Sequence, residues 1–273
     1  MSVRSLSGLA ALVVLAALGT ALGYSSAPAG ARAAAPSGPQ QRISILGDSV
    51  MVDGQPGVEA VLDSTGAAQA YRHAFVGYGI TRDNWPVDYG RVLAQDNPTA
   101  VVMMIGDWDN VFAAKHPRQY ASTVGKVMDF LTHKGAFLLW IGMEPGDPRF
   151  VSEARRRNLN SMVQAEAAKR PKTVSYLPSE PIFDGPDGKY AMFLPGPDGK
   201  SVRIRKVDGL HICPDGAVRL GQAVYDALQS RLQLPPPAPN WQSGSWRQDP
   251  VYTASTTFDH KTLKLTHDPC PAS

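Results

Sequence analysis

Three stretches of this 273-residue chain combine residue types able to carry out nucleophilic chemistry. Gly47-Asp48-Ser49-Val50 follows the short apolar run Ile43-Ser44-Ile45-Leu46. A glycine there lets the chain turn at a strand end. The serine then falls at the start of a helix, where unpaired backbone N–H groups can stabilise an oxyanion. The same residues also suit a plain helix N-cap, with Asp48 or Ser49 satisfying those amides. Asp208-Gly209-Leu210-His211 stands just ahead of the last long helical stretch. A serine hydroxyl needs a base to take its proton, and that base needs an acceptor to hold one tautomer. An Asp-x-x-His turn lets the Asp208 carboxylate meet one nitrogen of His211 while the other faces outward. Alone, each stretch is weak, since loop aspartates and half-exposed histidines are common. Together, a strand-end serine and a late Asp-x-x-His define a candidate triad of Ser49, Asp208 and His211.

Gly106-Asp107-Trp108-Asp109-Asn110 follows the clearest buried strand, and Gly77-Tyr78-Gly79-Ile80 could present a backbone N–H to the same spot or be a flexible loop. Glu144, in Gly142-Met143-Glu144-Pro145, either borders a pocket or is a solvated loop acid. With Asp48 and Asp107 it completes the expected pocket acids. A metallophosphoesterase reading of Asp48, Asp107, Asp109, Asn110 and His211 lacks the Asp-x-His and Gly-Asn-His partners it needs. His73, His116, His133, His260 and His267 show no ligand spacing, so no metal site is expected. Trp241 and Trp246 could stack on sugars or anchor the tail, the second being the commoner use.

The elements that must position these residues read as strand and helix in alternation. Strands are expected at 43–46, 68–75, 100–105, 136–141 and 173–177, with helices around 57–62, 86–95, 117–134, 151–170 and 214–232. This order argues for a parallel sheet covered on both faces. If its order is 2-1-3-4-5, Ser49 and the Gly106–Asn110 loop flank the crevice at the topological switch point. Residues 184–206 carry two Asp-Gly turns and read as a hairpin insertion. The tail, residues 233–273, carries Pro-Pro-Pro from position 235, holds no long apolar run, and alone looks poorly ordered.

Composition places limits on the rest. Hydrophobic residues make up 43% and charged residues 19%, ordinary for a packed globular domain. Arg4 followed by the 15-residue apolar run Leu9–Gly23 reads as a secretory signal, too short for a usual membrane span. Residues 1–35 are then signal and leader and 36–41 a linker, with Ala31-Arg32-Ala33 offering a cleavage site; an uncleaved anchor is the alternative. Losing Arg4, Arg32 and no acid takes the formal charge from +3 to +1, which gives a nucleic-acid role little support. Cys213 and Cys270 fit one disulfide in an oxidising compartment, two free thiols being the alternative.

The ordered set over residues 42–232 resembles the SGNH/GDSL hydrolase superfamily. The resemblance implies a three-layer α/β/α flavodoxin-like sandwich with a five-stranded parallel sheet. It implies Ser49 as nucleophile, Asp208 and His211 as its partners, and Gly79 (or Gly77) as an oxyanion donor beside the Ser49 N–H. The third block departs from the pattern, because Trp108 stands where the superfamily has an oxyanion asparagine. Similar Gly-x-Trp-acid versions occur in actinobacterial extracytoplasmic domains of this kind, including some fused to membrane acyltransferases that decorate surface glycans. Losing one such donor typically costs about 3–4 kcal/mol of transition-state stabilisation. Either the Trp108 indole replaces it, or Asn110 does, or activity is low. The expectation is a secreted, monomeric, cofactor-free serine esterase or O-acyltransferase acting on an acylated glycan or glycolipid. The rival is a glycan-binding module with lapsed catalysis.

Overall fold

The computed structural model describes residues 40–149, 151–253, 256–259, 264–267 and 270. The expected signal peptide and most of the linker lie outside these residues. Strands β1 (Gln41–Gly47), β2 (Ala68–Ala74), β3 (Ala100–Met104), β4 (Phe137–Ile141) and β5 (Val174–Leu177) form one sheet in the order β2-β1-β3-β4-β5. Every pairing is parallel. β3 and β4 are buried at every position, as expected of strands covered on both faces, which read as unbroken apolar runs rather than alternations. Register aligns Gly47 with Ala74 and Met104, Met104 with Ile141, and Ile141 with Leu177. All five carboxyl ends therefore stand level, and the loops that follow them share one rim.

Helices α1 (Ser49–Asp63), α2 (Trp85–Asp96), α3 (Asn110–Lys115), α4 (Pro117–Thr132), α5 (Glu153–Ala168), the single-turn α6 (Glu180–Phe183) and α7 (Pro214–Leu232) flank the sheet. The first helix begins at Ser49, as the Gly-Asp-Ser turn suggests, and includes the 57–62 stretch marked by periodicity. Gly54, Pro56 and Gly57 interrupt its periodicity, and two of them have a packing reason. A Cβ on Gly57 would lie 2.5 Å from the Ala217 carbonyl oxygen, one on Gly221 would lie 2.7 Å from that of Gly57, and one on Gly54 would meet Leu220. Helices α1 and α7 thus meet backbone to backbone.

The insertion forms a small antiparallel pair, β6 (Phe193–Pro195) and β7 (Ser201–Arg203), turning at Asp198-Gly199. The tail departs from the expectation of poor order. Residues 241–253 form two 3-10 turns and the short helix α8 (Pro250–Thr253), with Trp241 and Tyr252 buried. A further antiparallel pair follows, β8 (Thr256–Asp259) and β9 (Lys264–His267). The Trp246 indole N–H donates to the Trp241 carbonyl at 2.7 Å, and the buried Trp241 ring lies against Gly221 of α7, anchoring the tail. Cys213 and Cys270 are joined as a disulfide, with Cα atoms 5.5 Å apart.

Candidate active site

Gly47 leaves β1 where a Cβ would come within 2.2 Å of the Met104 carbonyl oxygen, so only glycine fits the turn into α1. Asp48 caps the helix: Oδ1 accepts from the Val50 N–H at 3.1 Å. Its Oδ2 accepts from Gly106 N–H (3.0 Å) and Asp107 N–H (3.1 Å). One fully buried carboxylate thereby locks the ends of β1 and β3 together. Burial, reinforced by the charge of Asp107, raises Asp48 to about 7 against the pull of those three donors. Ser49, 7% exposed, is the first residue of α1, so its own N–H has no intrahelical acceptor.

The Asp208 turn is self-contained. Oδ1 accepts from the Leu210 and His211 N–H groups at 3.0 Å each, and Oδ2 lies 2.7 Å from His211 Nδ1. Burial would raise Asp208, but the His211 hydrogen bond and charge outweigh it and bring the carboxyl down to about 2. Burial opposes charge on His211 too, yet the Asp208 hydrogen bond and the negative charges of Asp53 and Asp208 lift the imidazole to about 9.

Asp53 joins the two halves. It sits one helical turn past Ser49 and is buried, with Oδ2 accepting from the Ile212 N–H at 3.1 Å and Oδ1 from the Lys206 ammonium at 2.9 Å. Burial lifts Asp53 to about 6 against the charges of Lys206 and His211. The residue after His211 is therefore tied to α1 about 5–6 Å along its axis from Ser49. Lys206 also donates to the Val251 carbonyl, and the Tyr252 hydroxyl donates to the Asp53 carbonyl. The tail so buttresses the histidine turn. Sequence reading missed Asp53 and Lys206. The signal was present in the four-residue spacing from Ser49, which puts Asp53 on the same helix face.

Asp107 feels the His211 charge, burial raises its carboxyl, and it sits at the rim beside the serine helix. Glu144 is 1% exposed and no solvated loop acid. It lines a cavity of about 20 Å³ with Gly106, Asp107 and Leu210, and burial raises it to about 8 against the nearby Arg205 guanidinium. A cavity of about 640 Å³ lies between the hairpin insertion and α7, bordered by Pro178, Ile182, Pro197, Val218 and Arg219. None of Ser49, Asp208 or His211 lines it.

The expected oxyanion donors fare unevenly. The Gly79 N–H donates to Asp83 Oδ2 at 2.8 Å, and Asn110 Nδ2 donates to the Asp107 carbonyl at 2.6 Å. Both are engaged within their own loops. Trp108 is 48% exposed, with the Arg82 guanidinium carbon 4.9 Å from its ring centroid. Asp109, which follows, is buried and accepts from the Ile80 and Thr81 N–H groups (2.9 and 3.0 Å) and the Thr81 hydroxyl. This pins the 79–82 loop to the β3 turn. Among the described residues no group of His, Cys, Asp or Glu has metal-binding geometry, and no helix is long and apolar enough to cross a membrane. His73 sits 2.7 Å from Asp96, His116 and His133 stand at helix ends, and His260 lies outside the described residues.

The fold is shared with solved structures of acylhydrolases and esterases. TesA matches at 17% identity with a TM-score of 0.53, over 70% of this chain and 99% of that one. A lipase/acylhydrolase from Enterococcus faecalis matches at 16% identity and a TM-score of 0.53, over 73% and 100%. A Clostridium thermocellum family 3 carbohydrate esterase matches at 15% identity and a TM-score of 0.53, over 71% and 98%. These likenesses establish the fold, which is that of the SGNH/GDSL hydrolases. More particularly, the chain belongs to the family described as "Protein of unknown function (DUF459)", which it matches over residues 42–227. No curated protein matches the sequence significantly.

Proposed function

We propose that the chain is a serine esterase or O-acyltransferase, exported from the cell, acting on ester-linked acyl groups of a cell-envelope glycan or glycolipid. The observation that carries this reading is the Asp53 bridge. One carboxylate on the serine's helix holds the residue after His211, while Asp208 stands 2.7 Å behind the imidazole. His211 takes the Ser49 proton as Oγ bonds to the ester carbonyl carbon. The carbonyl π electrons move onto oxygen, and Asp208 steadies the imidazolium. The tetrahedral adduct re-forms its carbonyl and breaks the ester C–O bond, and His211 returns the proton to the leaving hydroxyl. Water or an acceptor hydroxyl then discharges the acyl-serine by the reverse steps. Hydrolysis and transfer differ only in that last nucleophile.

Export is supported by the apolar leader and by the disulfide. The glycan is supported by fold relatives that act on carbohydrate esters, among them the family 3 carbohydrate esterase and an acetyl-xylooligosaccharide esterase from Geobacillus. A fluorophosphonate probe bypasses substrate identity and tests the nucleophile directly. Covalent labelling of the wild type, lost in Ser49→Ala, is the expected result; an unlabelled wild type overturns the reading. Engagement of the Gly79 N–H and the Asn110 amide favours a second reading, a glycan-binding module without turnover. It predicts equal background hydrolysis of p-nitrophenyl acetate by wild type and Ser49→Ala.

A further inference from the structure

An acyl-transfer site needs donors where the carbonyl oxygen becomes negative, and this site has lost most of the usual ones. The Ser49 N–H stands free at the head of α1, but Trp108 replaces the asparagine, the Gly79 N–H is held by Asp83, and the Asn110 amide is held by Asp107. Two donors at this rim carry no hydrogen bond among the described residues, the Trp108 indole N–H and the Arg82 guanidinium, and only the second is charged. Arg82 makes no side-chain hydrogen bond or ion pair among the described residues. Its side chain lies across Gly79, with Cγ and Cδ 3.2 and 3.3 Å from where a glycine Cβ would stand, and its guanidinium lies over the Trp108 ring. Those are the two positions from which the superfamily's second and third oxyanion donors come. Both loops are fixed in place: Asp109 holds Ile80 and Thr81, and Asp48 holds Gly106 and Asp107.

We infer that Arg82 is the missing oxyanion donor, a catalytic residue whose guanidinium receives the developing charge while Trp108 serves as the shelf that aims it. This role rests on the serine-esterase reading above. Trp108 then has a purpose no donor role gives it. An aromatic face holds a guanidinium by cation–π attraction and leaves its N–H edge outward for the oxyanion. A cation can also offset more charge than the amide it replaces, because charge-assisted hydrogen bonds are roughly twice as strong as neutral ones. The substitution at position 108 is thus paired with an arginine three residues past Gly79.

The test uses the disulfide-bonded chain with p-nitrophenyl acetate. Wild-type turnover that disappears in Ser49→Ala establishes the esterase reading independently of Arg82. With that in hand, Arg82→Ala should lower kcat about 100- to 1,000-fold while KM shifts by less than about threefold. Guanidinium chloride, far below denaturing concentration, should restore part of the lost rate saturably, and tetramethylammonium should not. Arg82→Ala combined with Trp108→Asn should recover rate over Arg82→Ala alone, since an amide then stands at position 108. Arg82→Ala within about threefold of wild-type kcat would overturn the inference and leave the esterase reading intact. A kcat loss that guanidinium does not relieve would overturn it too, assigning Arg82 to loop structure. A wild type without turnover or probe labelling overturns both.

Discussion

Two neighbouring strands end in nearly the same words, Gly47-Asp48-Ser49 after β1 and Gly106-Asp107-Trp108 after β3, yet the aspartates do different work. Asp48 is fully buried and gathers three backbone N–H groups, two of them from the other turn. Asp107 makes no such clasp; it receives a 3.4 Å contact from the Asn110 amide and feels the charge of His211. The tying role in the second turn falls to Asp109, which secures the 79–82 loop. A shared dipeptide therefore does not fix a role. What fixes it is whether a long helix starts at once, as α1 does at Ser49, or only after an intervening 3-10 turn, as α3 does at Asn110.

The comparison can be broken most severely at the third position of the first turn. Ser49→Ala should lower esterase turnover by at least about 10⁴-fold with little change in melting temperature. Steady-state kinetics and thermal melts on the same sample check it. Next comes the clamp between α1 and the histidine turn. Removing either partner of the buried Asp53–Lys206 pair should cost about 3–5 kcal/mol, read as a lower urea midpoint. Asp53→Asn carries a second sign. Its charge helps raise His211, so its loss lowers the imidazole, and the rising limb of kcat/KM against pH moves to lower pH. Movement to higher pH would contradict the clamp's electrostatic role. The third test contrasts the aspartates of the second turn. Asp109→Ala strands three donors and should cost about 2–3 kcal/mol, whereas Asp107→Ala should cost less than about 1 kcal/mol.

The last test concerns pH alone. Glu144 keeps its proton to about 8 in the fold, but loses it near 4.3 when unfolded. Between those values the folded state holds more protons, so this group lowers stability as pH rises. Glu144→Gln should flatten the slope of unfolding free energy between pH 5 and 8, whatever its offset. An unchanged slope would show that Glu144 ionises normally inside the fold.

The alternation of strand and helix was legible because a parallel sheet covered on both faces demands unbroken apolar runs, and 100–105 and 136–141 are such runs. The Asp208–His211 turn was legible because its contacts are local. What could not be read depends on distant partners. The spacing from Ser49 puts Asp53 on the serine's helix face, but its partners lie 153 (Lys206) and 159 (Ile212) positions away, and nothing local announces them. The tail lacks apolar runs, so its order rests on the disulfide and on two buried aromatics, Trp241 and Tyr252. Glu144 reads as a loop acid until β4 and α5 close over it. The start of α1 was legible from the Gly-Asp-Ser turn but not from periodicity, which Gly54, Pro56 and Gly57 interrupt; the small size of the two glycines is needed by the helix they touch.

That glycine contact has a consequence for how reactivity is kept in register. In the proposed mechanism the nucleophile rides on one rod and its base is attached to the root of another, and bare main chain sets the gap between the rods. A single methyl group at position 57 would act as a shim, wedging the seam and spreading the reacting atoms together with it. The spacing proposed for catalysis would thereby follow the thickness of a peptide plane, because Gly57 and Gly221 let the two helices touch through their main chains.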